Sequence, residues 1–201
     1  MDLSPTTKEK IMDAAIVLFS DRGYDLVSMR DIALEVGIRA ASIYNHFPSK
    51  KDILKSAYAF YAEGLCHVLP TIETLLQRLE DEPILDVLKT GLCYYWPPAL
   101  QDRMDRIILI ASQRICLDKD SEDFVREHFF EPLTGLWIPF LNRAAELGKI
   151  EPVDVECFTK LITFFAFSAA ELNRSTMRIT IEQWNSSLDM IFMLLKPRVA
   201  P

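Results

Sequence analysis

The sequence predicts an all-α protein with a three-helix N-terminal domain and a larger helical C-terminal domain. Apolar residues recur at helical spacing with almost no strand-type alternation, and 11 prolines with only 6 glycines mark sharp stops between helices. A chain of 201 residues, 50% of them hydrophobic, can also bury a sizeable core. We expect the domains to span residues 1–55 and 56–201.

The first predicted helix begins at a capping box, because Thr6 is followed three residues later by Glu9. It ends at Arg22-Gly23, and its inward face carries Ile11, Ala15, Leu18 and Phe19. A long helix is expected from Ser49 toward Pro70, as the one rigid element that joins the N-terminal domain to the rest. Further helices are predicted at about 71–81, 83–95, 101–117, 120–147 with breaks at Pro132 and Pro139, 152–175 and 180–195.

The most informative stretch reads as helix, tight turn, helix, turn and helix. Ser28 is a good N-cap for a helix that Gly37 ends, since glycine takes the left-handed conformation that a tight turn needs. A short helix over roughly 40–45 follows. Ser49 then opens a second capping box with Lys50 in the first turn, where lysine opposes the helix dipole but suits a phosphate.

The exposed side of the short helix is predicted to be small, polar or cationic, without an acidic residue. Such a face fits the DNA major groove. It carries Arg39, Ala40, Ala41, Ser42, Tyr44, Asn45 and His46, and the buried side carries Ile38, Ile43 and Phe47. A polar corner of an ordinary helical protein is the alternative, but the order and spacing of the whole set favour DNA binding.

Residues 7–54 resemble the N-terminal domain of the TetR family of bacterial transcriptional regulators, through the motifs IMDAAIVLFSDRG, SMRDIA and GIRAASIYNHFPSKKDIL. By this resemblance, phosphate contacts fall to Ser28, Tyr44, His46 and Lys50, and base contacts to Arg39, Ala40, Ala41, Ser42 and Asn45. Arg30 completes the candidate DNA-binding set. Arg39 replaces the family's usual Ser or Thr cap and Ala40 a common Lys or Arg, so the base-reading set is unusual.

The charge distribution is compatible with DNA binding, although the formal net charge is −7. Residues 1–55 hold 8 of the 22 basic and 8 of the 29 acidic residues, so the acidic excess lies in residues 56–201. A neutral N-terminal domain with an acidic body behind it should orient the protein on DNA and limit promiscuous binding.

The sequence contains no pattern for a metal, a cofactor or catalysis. Its cysteines, Cys66, Cys93, Cys116 and Cys157, lack zinc spacing, and the histidines are not placed as metal ligands. We expect reduced, mostly buried thiols, with redox sensing through Cys66 or Cys116 as an alternative. The polar N-terminus and the short apolar runs predict a cytoplasmic protein with no membrane partner.

Large aromatic residues are more frequent in the C-terminal domain than folding alone requires. Rings around a helical bundle can leave an apolar cavity with hydroxyl and indole donors, and a filled core is the alternative. The candidate ligand-binding residues are Tyr61, Tyr94, Tyr95, Trp96, Trp137 and Phe164. By resemblance, the family binds an inducer in its C-terminal domain.

Apolar faces on the last two helices predict a homodimer held by a four-helix seam. The candidate interface residues are Phe158, Phe165, Ala169, Leu188 and Phe192. Packing within one chain is the alternative, and the resemblance favours the dimer because TetR-like regulators dimerise through this helix pair.

These observations together predict a dimeric repressor that a small apolar or aromatic ligand releases from a palindromic operator in double-stranded DNA. One alternative is an inducer-independent DNA-binding protein acting in nucleoid or division control. The other is a helical-bundle carrier or enzyme.

Overall fold

The computed structural model of the chain describes residues 5–65, 70–92, 98–172 and 180–196. These residues are helical apart from short connections, and no strand occurs among them. They form two compact units, the first combining Met1–His67 with Trp96–Val125 and the second combining Val68–Tyr95 with Arg126–Pro201. The predicted boundary after residue 55 separates a DNA-binding domain from a ligand-binding domain. It stays a prediction, because the two compact units divide the chain by packing and not by function.

The helices follow one another with few intervening residues. In chain order they are α1 (Thr7–Arg22), a 3-10 turn (Tyr24–Leu26), α2 (Met29–Val36), α3 (Ala40–Ile43), α4 (Lys50–Leu65), α5 (Ile72–Asp81), α6 (Ile84–Leu92), α7 (Pro98–Arg114), α8 (Lys119–Val125), a π-helical turn (Arg126–Phe130), α9 (Glu131–Glu146), α10 (Val155–Leu172) and α11 (Ile181–Met193).

The predicted start and end of α1 are confirmed. The Thr6 amide donates to the Glu9 carboxylate at 2.7 Å, and the Glu9 amide donates to Thr6 Oγ1 at 3.3 Å. The Thr6 hydroxyl also donates to the Glu9 carboxylate at 2.8 Å, and this bond, followed by that of the Thr6 amide, lowers the pKa of Glu9. Gly23 ends the helix with φ 87°, and the predicted inward face, Ile11, Ala15, Leu18 and Phe19, is buried.

The predicted break at Pro139 is wrong, because α9 runs through this residue. An internal proline loses one helical hydrogen bond and crowds the carbonyl four residues earlier, here that of Gly135. The buried side chains of Trp137, Phe140 and Leu141 anchor the helix on both sides of it. Pro132, in contrast, lies in the first turn of α9, where its missing N–H is tolerated, and a π-helical turn instead of the predicted break precedes it.

The second unit has a core of aliphatic and aromatic side chains from its helices. The Lys149 ammonium closes the end of α5 by donating to the carbonyls of Leu79 and Glu82, the latter at 3.1 Å. The core includes Leu75, Leu79, Val87, Leu88, Leu133, Trp137, Phe140, Leu141, Phe158, Ile162, Leu188 and Phe192.

The expectation of buried thiols is wrong for both cysteines in the described ranges, since Cys116 and Cys157 are exposed and free. Cys157 lies in the first turn of α10, where its amide bonds to the Asp154 carboxylate at 2.9 Å. Cys66 and Cys93 lie outside the described residues. Within the described part of the chain, no helix is long and apolar enough to cross a membrane, and no three metal-binding side chains cluster.

Candidate nucleic-acid interface

The turn between α2 and α3 has the geometry that the sequence predicts. Gly37 adopts φ 76° and ψ 29°, a left-handed conformation in which a side chain would be strained. Its amide donates to the Leu34 carbonyl at 3.1 Å, and the Ile38 amide donates to the Ala33 carbonyl at 2.9 Å. These bonds satisfy carbonyls at the end of α2 and direct the chain into α3.

The predicted recognition face is exposed. Ile43 and Phe47 anchor α3 in the core at 0% and 2% exposure, and Ser42 is half-buried. The Arg39 side chain makes no cap hydrogen bond, as its residue type predicts, so its guanidinium is not held at the helix start. The exposed side chains are Arg39, Ala40, Ala41, Tyr44, Asn45 and His46.

The start of α2 is held by a reciprocal capping box. The Ser28 hydroxyl donates to the Asp31 carboxylate at 2.5 Å, and the Ser28 amide donates to the same oxygen at 2.7 Å. The hydroxyl bond, followed by the amide bond, lowers the pKa of Asp31. The confirmed cap orients α2, with Arg30 exposed in its first turn.

Lys50 occupies a role that sequence reasoning missed. Its ammonium donates to the carbonyls of Tyr24 at 2.6 Å and Val27 at 2.8 Å, and lies 4.2 Å from the centroid of the Tyr24 ring. Partial burial lowers its pKa. Two of its three N–H donors therefore pin the 3-10 turn to α4, which leaves one donor for a phosphate.

The Tyr24 ring is also contacted from α7. The Arg114 guanidinium lies 4.0 Å from the ring centroid and pairs with the Asp25 carboxylate at 3.1 Å. The turn that leads into α2 is thus held by cations from both α4 and α7.

The expectation that α4 alone connects the three-helix domain rigidly is wrong, because α7 packs along α1. Arg103 of α7 pairs with Asp13, and Arg106 reaches both Asp21 at 2.5 Å and the Ser20 hydroxyl at 2.6 Å. No spacing in the sequence signals these pairs, since their partners lie more than 80 residues apart.

Comparison with known protein families agrees with this geometry. The model of the family described as bacterial regulatory proteins, tetR family, matches residues 11–57. Residues 11–57 are thus similar to the N-terminal domain of the TetR family. The match includes the whole recognition face and the start of α4.

Among relatives of the TetR-family domain is the biofilm operon icaADBC HTH-type negative transcriptional regulator IcaR of Staphylococcus aureus. It is 52% identical over 50 residues, which cover 25% of this chain and 27% of IcaR. The chain thus spans about a quarter of the length of this curated relative.

Solved structures share the fold over nearly the whole chain. AibR, in a complex with isovaleryl coenzyme A and operator DNA, has a TM-score of 0.68 and 21% identity, covering 95% of this chain and 99% of AibR. The ketosteroid transcriptional regulator KstR2 of Mycobacterium tuberculosis has a TM-score of 0.69 and 18% identity, covering 98% and 97%.

The candidate ligand-binding residues lie in different settings. Tyr61, in the first unit, is buried edge-on against Phe124 at 5.3 Å. Trp137, in the second unit, is 0% exposed, and its indole N–H has no acceptor among the described residues. Phe164 is 58% exposed. Tyr94, Tyr95 and Trp96 lie outside the described residues.

The candidate dimer residues lie largely within the protomer's own core. Phe158, Leu188 and Phe192 are buried, and Phe165 stacks on Trp184 with centroids 4.9 Å apart. The side chain of Ala169 lies outside the described residues. The same two helices leave other large apolar side chains exposed, namely Leu161, Phe164, Met190, Met193 and Leu194, here called the α10–α11 stripe.

Proposed function

We propose that this chain is a transcriptional regulator of the cytoplasm that acts as a dimeric repressor on a palindromic DNA operator. The observation that carries the proposal is the exposed, acid-free face from Arg39 to His46, held on a TetR-family domain. The description of IcaR as a negative regulator supports repression, and the DNA complex of AibR supports an operator as the target.

Base reading is assigned to the start of α3. Arg39 is the one long cationic side chain there, and an arginine can donate two bonds to a guanine. Ala40 and Ala41 are small enough for a close approach to base edges and thymine methyl groups. Tyr44 and His46, at the end of the face, supply the phosphate contacts that set the register.

Dimerisation is assigned to the α10–α11 stripe. Five large apolar side chains exposed on two helices are costly in water, and an isologous pairing of two copies would cover them. The predicted residues Phe158, Leu188 and Phe192 then support the seam from within the protomer. A dimer is required because a palindrome presents two equivalent half-sites.

Ligand binding is assigned to the aromatic core around Trp137. A buried indole N–H without a partner costs about 1 to 3 kcal/mol, and a ligand with an oxygen acceptor would remove this cost. Isovaleryl coenzyme A in the AibR complex and the ketosteroids for which KstR2 is named both combine apolar groups with carbonyl oxygens. Tyr94, Tyr95 and Trp96 stay ligand-binding candidates from the sequence alone.

The proposal is tested by fluorescence anisotropy of labelled duplex DNA, combined with a tryptophan-fluorescence screen of apolar carbonyl compounds. We expect salt-dependent DNA binding and a ligand that weakens it about 5- to 150-fold. By reciprocity, the same ligand must bind the DNA complex more weakly than the free protein by the same factor. Absence of DNA binding at low salt would contradict the regulator, and equal ligand affinity for both forms would contradict induction.

A further inference from the structure

Two lysines of α4 are held by one acid from α8. The Lys51 ammonium lies 2.6 Å from Asp120 Oδ2, and the Lys55 ammonium lies 3.5 Å from Asp120 Oδ1. The lysine side chains are 60% and 54% exposed, and the Asp120 side chain is 31% exposed. Both cations are therefore accessible to a competing anion from solvent.

The neighbouring lysine is not equally available. The Lys50 ammonium donates two hydrogen bonds to the carbonyls of Tyr24 and Val27, and these bonds fix its position. Lys51 is consequently the exposed cation in the first turn of α4, close to the recognition face in sequence, and Lys55 lies one turn further on the same face.

The second acidic residue near these lysines, Asp118, already has other partners. Asp118 pairs with Arg114 Nε at 2.8 Å and accepts the Ser121 amide at 3.0 Å, so it is fixed as part of the α8 start. A cleft of about 150 Å³ is lined by both acids, by Lys51 and Lys55, and by Tyr58. The two ammoniums thus border open space beside the acids.

We propose that Lys51 and Lys55 bind DNA phosphates and that Asp120 competes with DNA for them, so that free protein carries a built-in brake on phosphate binding. This inference rests on the proposed function, because it assigns further DNA-contacting residues to the same interface. An ion pair between partly exposed partners is weak, and a DNA backbone with one charge per about 1.7 Å is a strong competitor.

The brake also links α8 to the DNA. When phosphates take the lysines, Asp120 loses its partners, and the start of α8 is released from α4. By thermodynamic linkage, any change that strengthens the hold of Asp120 on the lysines must weaken DNA binding to the same extent.

The test compares Asp120→Asn with wild type for binding to a labelled duplex of mixed sequence across a range of salt concentrations. We expect Asp120→Asn to bind about 3- to 10-fold more tightly, with a plot of log affinity against log salt steeper by about one per subunit. Glu122→Gln is the matched control, because it makes the same charge change on the same helix and its partner is Lys119 at 3.3 Å.

Adding Lys51→Ala and Lys55→Ala to Asp120→Asn should abolish the gain and the extra slope. Equal behaviour of Asp120→Asn and Glu122→Gln would overturn the proposal, as would weaker binding by Asp120→Asn with its melting temperature unchanged. If wild type binds no duplex at low salt, the proposed function itself fails. If wild type binds but the two variants do not differ, only the brake fails.

Discussion

Two exposed surfaces of this chain have opposite chemistry. The recognition face of α3 is small, polar and cationic, whereas the α10–α11 stripe is large and apolar. The first suits a charged, hydrated partner and the second a protein surface. Phe192 and Met193 are neighbours in α11, but their side chains are 0% and 71% exposed. An apolar residue on this helix can therefore serve either the core or a partner surface, and its exposure tells which.

The largest effect is expected from breaking the stripe. Leu161→Asp with Phe164→Asp should give folded monomers, because both side chains are exposed in the protomer but would be buried in the seam. Loss of two-site binding should weaken operator affinity about 100- to 10,000-fold. Light scattering measures the mass, with Asn142→Asp, which adds a charge at an exposed position of α9, as the control. Persistent dimers would place the seam elsewhere.

The buried side of the same helix pair should respond in stability instead. Phe192→Ala should lower the free energy of unfolding by about 3 to 5 kcal/mol, because it leaves a cavity in the core. Met193→Ala, its exposed neighbour, should change the free energy of unfolding of the protomer by less than about 0.5 kcal/mol. Urea denaturation of both variants in the monomeric Leu161→Asp, Phe164→Asp background measures the difference. Equal losses would refute the division between core and stripe.

A change at Lys50 tests whether its ammonium holds the 3-10 turn (Tyr24–Leu26) against α4. Lys50→Met keeps the aliphatic stem but leaves the Tyr24 and Val27 carbonyls without their donor, and should cost about 1.5 to 3 kcal/mol of stability. Lys51→Met is the control for stability alone, because the Lys51 side chain is 60% exposed and its ion pair with Asp120 contributes little to stability. If Lys50 served only as a phosphate contact, its loss would instead lower the salt slope by about 0.9 per subunit and leave stability unchanged.

The smallest effect is expected at a single base pair. Arg39→Ala should cost about 1 to 3 kcal/mol at one base pair in each half-site and leave the other positions unaffected. Competition binding with operators substituted one base pair at a time measures this pattern. A uniform loss at all positions would assign Arg39 to phosphate.

The local features of the fold were predictable from sequence. The capping boxes at Thr6 and Ser28, the cap at Ser49 and the left-handed Gly37 depend on residues within four positions of each other. Such short-range hydrogen bonds follow from residue type and spacing.

Contacts between distant helices were not predictable in this way. The Lys50 bonds to the 3-10 turn and the arginine pairs of α7 depend on helix placement that no local spacing encodes. Helical periodicity likewise predicts a wide apolar face on α10 and α11. It does not say which part of that face packs within the protomer. In the structure, the buried part contains Phe158, Leu188 and Phe192, and the exposed part contains Leu161 and Phe164.

The central claim, that the exposed face of α3 reads DNA from a dimer, is tested most directly by selecting bound sequences from a random duplex pool. We predict enrichment of an inverted repeat whose half-site centres lie one turn, or a whole number of turns, apart, with a single turn spanning about 34 to 36 Å. The Leu161→Asp, Phe164→Asp variant should fail to enrich this repeat. Enrichment of no sequence, or of one asymmetric site that the monomeric variant binds equally well, would contradict the claim.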